Sequence, residues 1–235
     1  PVRRFWNAQR DVALEEVLAA IEGRSESFDR VVVASDDPAG LWARLGVEPA
    51  DPTLAVGSVR KVRQAVRESR RTLGLVPAAE MRPDLRALAV DGVSLFGGER
   101  EESFADWPLM GTAGTRDRNF DPASVWTLMA GGDVMLDREP HRQSIIAGKG
   151  VDYVWDGGYA EITSRTCCTR DGGPAITTER VADSKGAVRD LLSGADLAIV
   201  NHEAPAPNDP VYHPAGFVFN VDPQLLDGVA GAGID

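Results

Sequence analysis

A chain of 235 residues with 43% hydrophobic and 26% charged side chains has ordinary globular composition, which excludes disorder as its main state and leaves room for one large domain or two small ones. Its 36 acidic side chains outnumber 25 basic ones, for a net charge of −11. That balance argues against nucleic acid or a bare anionic membrane surface as a partner, since either needs a basic footprint. The excess is local: residues 1–100 carry 15 basic and 15 acidic side chains, residues 101–235 carry 10 and 21, so two portions with different roles are expected. No apolar run approaches the roughly 18–20 residues that cross a bilayer. The opening Pro1-Val2-Arg3-Arg4 has neither an initiator Met nor an apolar signal core and reads as the start of a processed or excised chain.

In chain order, Asn7–Ile21 reads as an amphipathic helix, with Val12, Leu14, Val17, Leu18 and Ile21 at helical spacing and Gly23 as its stop. Arg30–Ala34 is a short apolar strand running into the turn cluster Ser35-Asp36-Asp37-Pro38. Ser58–Ser69 reads as a basic surface helix capped by Ser58, with Val59, Val62 and Val66 inward and its charges forming a solvated face. A strand is expected at Arg86–Val90. This α/β pattern spans residues 1–111, and the polar, turn-rich stretch Thr112–Pro122 marks a linker at 112–123.

The second domain, 124–235, opens with a buried-type strand, Ser124–Ala130, that runs into Gly131-Gly132-Asp133. Cys167 and Cys168 are adjacent, a spacing that makes neither a zinc knuckle nor a disulfide framework, and neighbouring residues strain disulfide geometry. They are expected to be thiols. Ser184–Leu192 reads as a helix, Ala195–Val200 as a buried strand, and Asn201-His202-Glu203 follows at once. Asp222 caps a last helix with Pro223 at its first position, Leu225, Leu226 and Val229 on one face, and Gly231 and Gly233 at its end. Strands alternating with helices argue for an α/β architecture. The chain stops at Ile234-Asp235, where a further strand is expected.

Ligand sites in α/β proteins collect beyond the carboxyl ends of the strands, and Asp133 and the Asn201-His202-Glu203 trio both occupy such positions. Gly131 and Gly132 would let the backbone turn sharply and present Asp133. A carboxylate on one strand end, with an amide, an imidazole and a carboxylate on another, suits a divalent cation. On spacing alone, the simpler reading is that Asp133 is a turn residue and that Asn201 and Glu203 cap a loop.

Three segments carry a resemblance. Thr127–Arg138 (TLMAGGDVMLDR) resembles the opening signature of the bacterial CapA/PgsA capsule-synthesis family, GDVML followed by Arg. Gly194–Pro207 (GADLAIVNHEAPAP) resembles its second signature, a strand followed by Asn-x-Glu. Phe217–Asp235 resembles its third block, a strand and a helix leading into an Asn-Asn-His element. The resemblance implies a calcineurin-like metallophosphoesterase sandwich (α-β-β-α) with metals at the strand ends, incomplete here, and a role in capsule or poly-γ-glutamate biosynthesis. Asp133 then matches the first metal-binding aspartate, Glu203 the acidic residue of the second signature and Asn201 its asparagine. His202 stands where many relatives have leucine and is a fourth candidate around a divalent ion (Mn, Mg or Zn). Arg138 is a candidate to hold an anionic substrate, because its fork binds carboxylate or phosphate bidentately. His141 and His213 are expected to be surface loop residues.

The family's Asn-Asn-His element and later histidine motif are not among these residues, so the metal site is expected to be completed beyond Asp235. An unpaired sheet edge should then favour association with a second copy or with that missing segment. Thr72–Gly92 (TLGLVPAAEMRPDLRALAVDG) resembles part of a solute-binding-protein lobe of the kind fused before CapA domains. Two functions follow from the resemblance: a metal-dependent hydrolase or amide-processing enzyme, or a non-catalytic polymer-binding accessory subunit of a membrane synthase. Both imply an extracytoplasmic protein of the cell envelope, held at the membrane by a segment outside this chain. Its expected partners are an anionic polymer or small anionic substrate and other capsule-synthesis proteins.

Overall fold

The structure is a computed structural model that describes residues 1–35, 37–50, 54–103, 107–109, 120–167, 174–216 and 218–235. The fold is α/β, and the chain divides into two compact units, Pro1–Val125 and Trp126–Asp235.

The first unit opens with strand β1 (Val2–Arg4) and the two-residue β2 (Asp11–Val12), then α1 (Leu14–Ile21), β3 (Arg30–Ala34) and α2 (Pro38–Leu45). It continues through β4 (Leu54–Gly57), α3 (Val59–Glu68), β5 (Thr72–Leu75), β6 (Leu85–Ala87) and β7 (Ala89–Val90). The main sheet has the order β4-β3-β5-β1-β6. Its β3 runs parallel to β4 and β5, while β1 is antiparallel to β5 and β6. Successive strand residues point to opposite faces, and β3 shows the consequence. Val31 and Val33 pack with Val17, Ile21 and Trp42 on one side, and Val32 and Ala34 pack with Val59, Val62 and Val66 on the other. Helices therefore cover both faces of the sheet, which explains why β3 is apolar throughout.

The expected helix over Asn7–Ile21 begins seven residues late. Asp11 and Val12 pair with Ala89 and Val90 in a parallel two-stranded sheet, and the Asp91 carboxylate accepts from Leu14 N at 3.0 Å, starting the helix there. A tertiary pairing thus overrides helical periodicity before Leu14. The strand expected at Arg86–Val90 is split into β6 and β7 at Leu88, whose N–H donates to the Pro1 carbonyl. Most of the expected linker, 112–119, lies outside the described residues. Phe120 packs on Phe96 with ring centroids 5.5 Å apart, and Arg100 Nε donates to the Pro122 carbonyl at 2.9 Å, so the residues just before the second unit are tied into the first.

The second unit contains β8 (Leu128–Val134), α4 (Glu139–His141) continued by a π-helical turn (Arg142–Ile146), β9 (Ala160–Cys167), β10 (Pro174–Arg180), α5 (Ala187–Ser193), β11 (Leu197–His202) and α6 (Gln224–Gly231). β8 and β11 form a parallel pair, and β9 and β10 an antiparallel hairpin. Leu136, Trp155, Leu192, Ala198, Val221, Leu225 and Ala232 make the core. β8 runs past Ala130 to Val134 and is mostly exposed, which corrects the buried strand expected at Ser124–Ala130. Among the described residues its sheet has two strands, and Leu128 and Ile199 stay 49% and 44% exposed. In α6, Leu225 is buried while Leu226 faces solvent. Cys167, expected to be a thiol, is disulfide-bonded; Cys168 lies outside the described residues. No helix among the described residues is long and apolar enough to cross a membrane.

Candidate functional site

Asp133 lies within β8, and Asn201 and His202 lie within β11, whereas the sequence suggests that all three follow their strands. The parallel register runs Leu197↔Leu128 to Ile199↔Ala130, slips by one residue, and resumes as Asn201↔Asp133 and His202↔Val134. The slip falls at Gly131 and Gly132, which continue the strand and do not turn it. A Cβ on Gly131 would come within 2.9 Å of Val200 Cγ1, so only glycine lets the strands approach this closely at that point. Without the slip, Asn201 would face Gly132. With it, Asn201 faces Asp133.

The side chains use that register. Asn201 Nδ2 donates to Asp133 Oδ1 at 2.9 Å and also donates to Glu203 Oε1. Two carboxylates, one in β8 and one just past the end of β11, therefore converge on one amide, with all three groups exposed. Asn201 and Glu203, two positions apart, point to the same face, and alternation turns His202 to the other. The structure thus brings together Asp133, Asn201 and Glu203 and leaves His202 apart from them.

Two acidic groups held on one neutral donor concentrate negative charge that a divalent cation would offset. All their donor atoms are oxygens, the class of ligand that Mg²⁺, Mn²⁺ and Ca²⁺ take. No group of three or more His, Cys, Asp or Glu among the described residues is placed to hold a metal ion. The carboxylate oxygens of Asp133 and Glu203 are of the class such a cation takes, while Asn201 presents its amide N–H to both of them.

Arg138 stands in the turn after β8, where its guanidinium donates to the Gly216 carbonyl and lies 4.8 Å above the Phe219 ring. His141 is 5% exposed and its ring lies 5.0 Å from that of Tyr212, which corrects the expectation of a surface loop histidine. His213 is half-buried. Asp137, which falls with Arg138 in the first signature, is fully buried, and the sequence does not foresee that burial. The available signal was spacing, because Arg138, His141 and Ser144 recur at every third residue, but nothing local reveals what covers them.

Residues 127–235 match the family model of the bacterial capsule synthesis protein PGA_cap, in agreement with the three signatures read from the sequence. Comparisons with curated proteins and with solved structures find no match. The stretch that carries Asp133, Asn201 and Glu203 is thus similar to the bacterial capsule synthesis family, over residues 127–235 and a little under half of the chain.

Proposed function

We propose that the chain acts at the cell envelope, outside the cytoplasm, in making or processing a capsule polymer of the poly-γ-glutamate class. Its second unit is read as a metal-dependent hydrolase or amide-processing enzyme with a metallophosphoesterase-like fold. One observation carries the reading: the slipped register of β8 on β11 sets Asp133 and Glu203 on the amide of Asn201. Asp133 and Glu203 would hold a divalent ion, and Asn201 sets the spacing between them. When bound, such an ion polarises a carbonyl or phosphoryl oxygen and lowers the pKa of a coordinated water. In the first unit, a sheet with helices on both faces supports the likeness to a solute-binding lobe. An anionic polymer and other capsule-synthesis proteins are the partners this function implies.

Calorimetric titration of Mn²⁺ into the 235-residue protein tests the reading. A weak, saturable site is expected, lost in Asp133→Asn and in Glu203→Gln. Undiminished Mn²⁺ binding by both variants overturns the cation site. Metal-independent binding of γ-linked polyglutamate, without turnover, would replace the enzyme with a non-catalytic accessory role.

A further inference from the structure

The solvent face of α3 carries more positive charge than the helix itself can use. Arg60, Arg63 and Arg67 recur along one side of it, with Gln64 and Glu68 alongside, and together they line a groove of about 310 Å³. The sequence leaves these charges as a solvated face, but Asp84, just before β6, fixes two of them. Arg63 donates to both Asp84 oxygens, through Nε at 2.8 and 2.9 Å and Nη2 at 2.8 Å, and Arg67 donates to the same carboxylate. Gln64 Nε2 donates to Glu68 at 2.7 Å. Two cations thus share one anion, and Arg60 and Lys61 stand exposed beside them. No acid lies in the first turn of α3, where the helix dipole favours one and disfavours Arg60 and Lys61. Their placement costs the helix stability, so its explanation lies outside the helix.

The second unit has the opposite arrangement. Asp152, in the turn Val151–Val154, and Asp156 both pair with Arg189 Nη2, at 3.0 and 3.2 Å, and their side chains stay 54% and 46% exposed. Asp227 is exposed on α6, four residues before Gly231 and so on the same side of that helix. Gly231 lies against Asp152: a Cβ there would be 3.4 Å from Asp152 Oδ1. Three carboxylates therefore surround one guanidinium, while Lys149 is engaged with the Tyr153 ring, 4.4 Å from its centroid. The wider surface has the same sign, since residues 101–235 carry 21 acidic side chains against 10 basic. We propose that α3 of one copy docks on the Asp152, Asp156 and Asp227 face of a second copy, each surface supplying the counter-charge that the other lacks. An aspartate of the second copy enters the groove beside Arg60. There the forks of Arg63 and Arg67, already held by Asp84, lose little side-chain freedom on binding. Two copies that exchange the contact reciprocally close a two-fold dimer, and a one-way contact builds an open chain. Exposed charge pairs set the partner and speed encounter more than they add affinity, so the association is weak and depends on salt. It draws on none of the residues of the cation site.

Sedimentation velocity of the whole chain over a range of concentrations, with a chelator present and at about 20 mM and about 500 mM salt, tests the contact. The mass should rise with concentration at low salt and stay that of one chain at high salt. The double variant Arg60→Glu, Lys61→Glu should remain a single chain at low salt. Glutamate is favoured in the first turn of a helix, so this loss does not come from unfolding. The double variant Asp152→Lys, Asp227→Lys should also remain a single chain. Mixed in equal amounts, the two variants should associate again, because each reversed surface then meets its opposite. Both stay net negative, since each changes the charge of −11 by only four, so bulk charge does not draw them together, and their renewed association shows that both are folded. A chain that stays monomeric at low salt overturns the proposal. So does association that survives either double variant or fails to return in the mixture.

Discussion

Glu139, at the start of α4, accepts from Arg142 Nε at 2.8 Å and Nη2 at 2.5 Å and from Gln143 Nε2 at 2.5 Å. The Arg142 bonds first, then the Gln143 bond, bring its pKa from 4.5 down to about 2. A carboxylate lowered in this way stabilises the fold fully above its ordinary pKa, and the contribution is lost as pH falls toward the lowered one. Urea unfolding of wild type and Glu139→Gln should therefore differ most above pH 4.5 and converge near pH 2. A difference that is constant across that window would mean that the ion pair is not what sets stability there. Solvent screening keeps this effect small, because both partners are at least half exposed. Asn201 matters in another way: it touches both acidic groups and so positions them. Asn201→Ala should leave stability nearly unchanged but lower Mn²⁺ affinity about 10–100-fold, the usual cost of losing a group that orients ligands. Calorimetry on the variant reads this directly, and an unchanged affinity would show that the carboxylates hold their places alone.

At the scale of elements, α3 packs tightly against β5 in the first unit. A Cβ on Gly74 would come within 2.5 Å of Val62 Cγ1 and 2.6 Å of Val2 Cγ2, because helix and strand meet there with no room for a methyl group. Gly74→Ala should cost about 1–3 kcal/mol through overpacking, seen as a lower denaturation midpoint at unchanged m-value. Where an element's own residues decide its state, it was legible in the sequence. β3 is apolar at Val31–Ala34 and lies where expected, and Val59, Val62 and Val66 are the buried face of α3. Where a distant partner decides, it was not. The pairing of β2 with β7 replaces the first half of a helix that periodicity supports, and the extension of β8 through Gly131 and Gly132 depends on β11. The β9–β10 hairpin was overlooked although Ile162, Thr163, Thr166, Ile176, Thr177 and Thr178 supply β-branched residues on either side of Asp171-Gly172-Gly173, a recognisable signal. The site divides in the same manner. Asp133, Asn201 and Glu203 follow from signatures, whereas the register slip that joins them and the burial of Asp137, His141 and Ser144 arise from chain far away in sequence.

For the whole molecule, the two units have separate cores: Val17, Val31, Leu73 and Val62 belong to the first, Leu136, Ala198 and Leu225 to the second. A core that shares no residues with its neighbour can unfold as its own cooperative unit. Calorimetry should then show two thermal transitions, with the candidate cation site confined to the unit Trp126–Asp235. A ligand that binds only the native state raises the stability of the unit that holds it and of no other. Mn²⁺ at about ten times its dissociation constant contributes about 1.4 kcal/mol. For a unit of this size that raises one transition by roughly 5 °C and leaves the other where it was. The transition that moves should be the one shown by the second unit, Trp126–Asp235, when expressed alone, and Asp133→Asn should abolish its shift. If both transitions move together, the units are coupled, and the division between Val125 and Trp126 does not describe how the chain folds. If only the other transition moves, the cation is held by residues of the first unit and the Asp133–Glu203 pair is not its site.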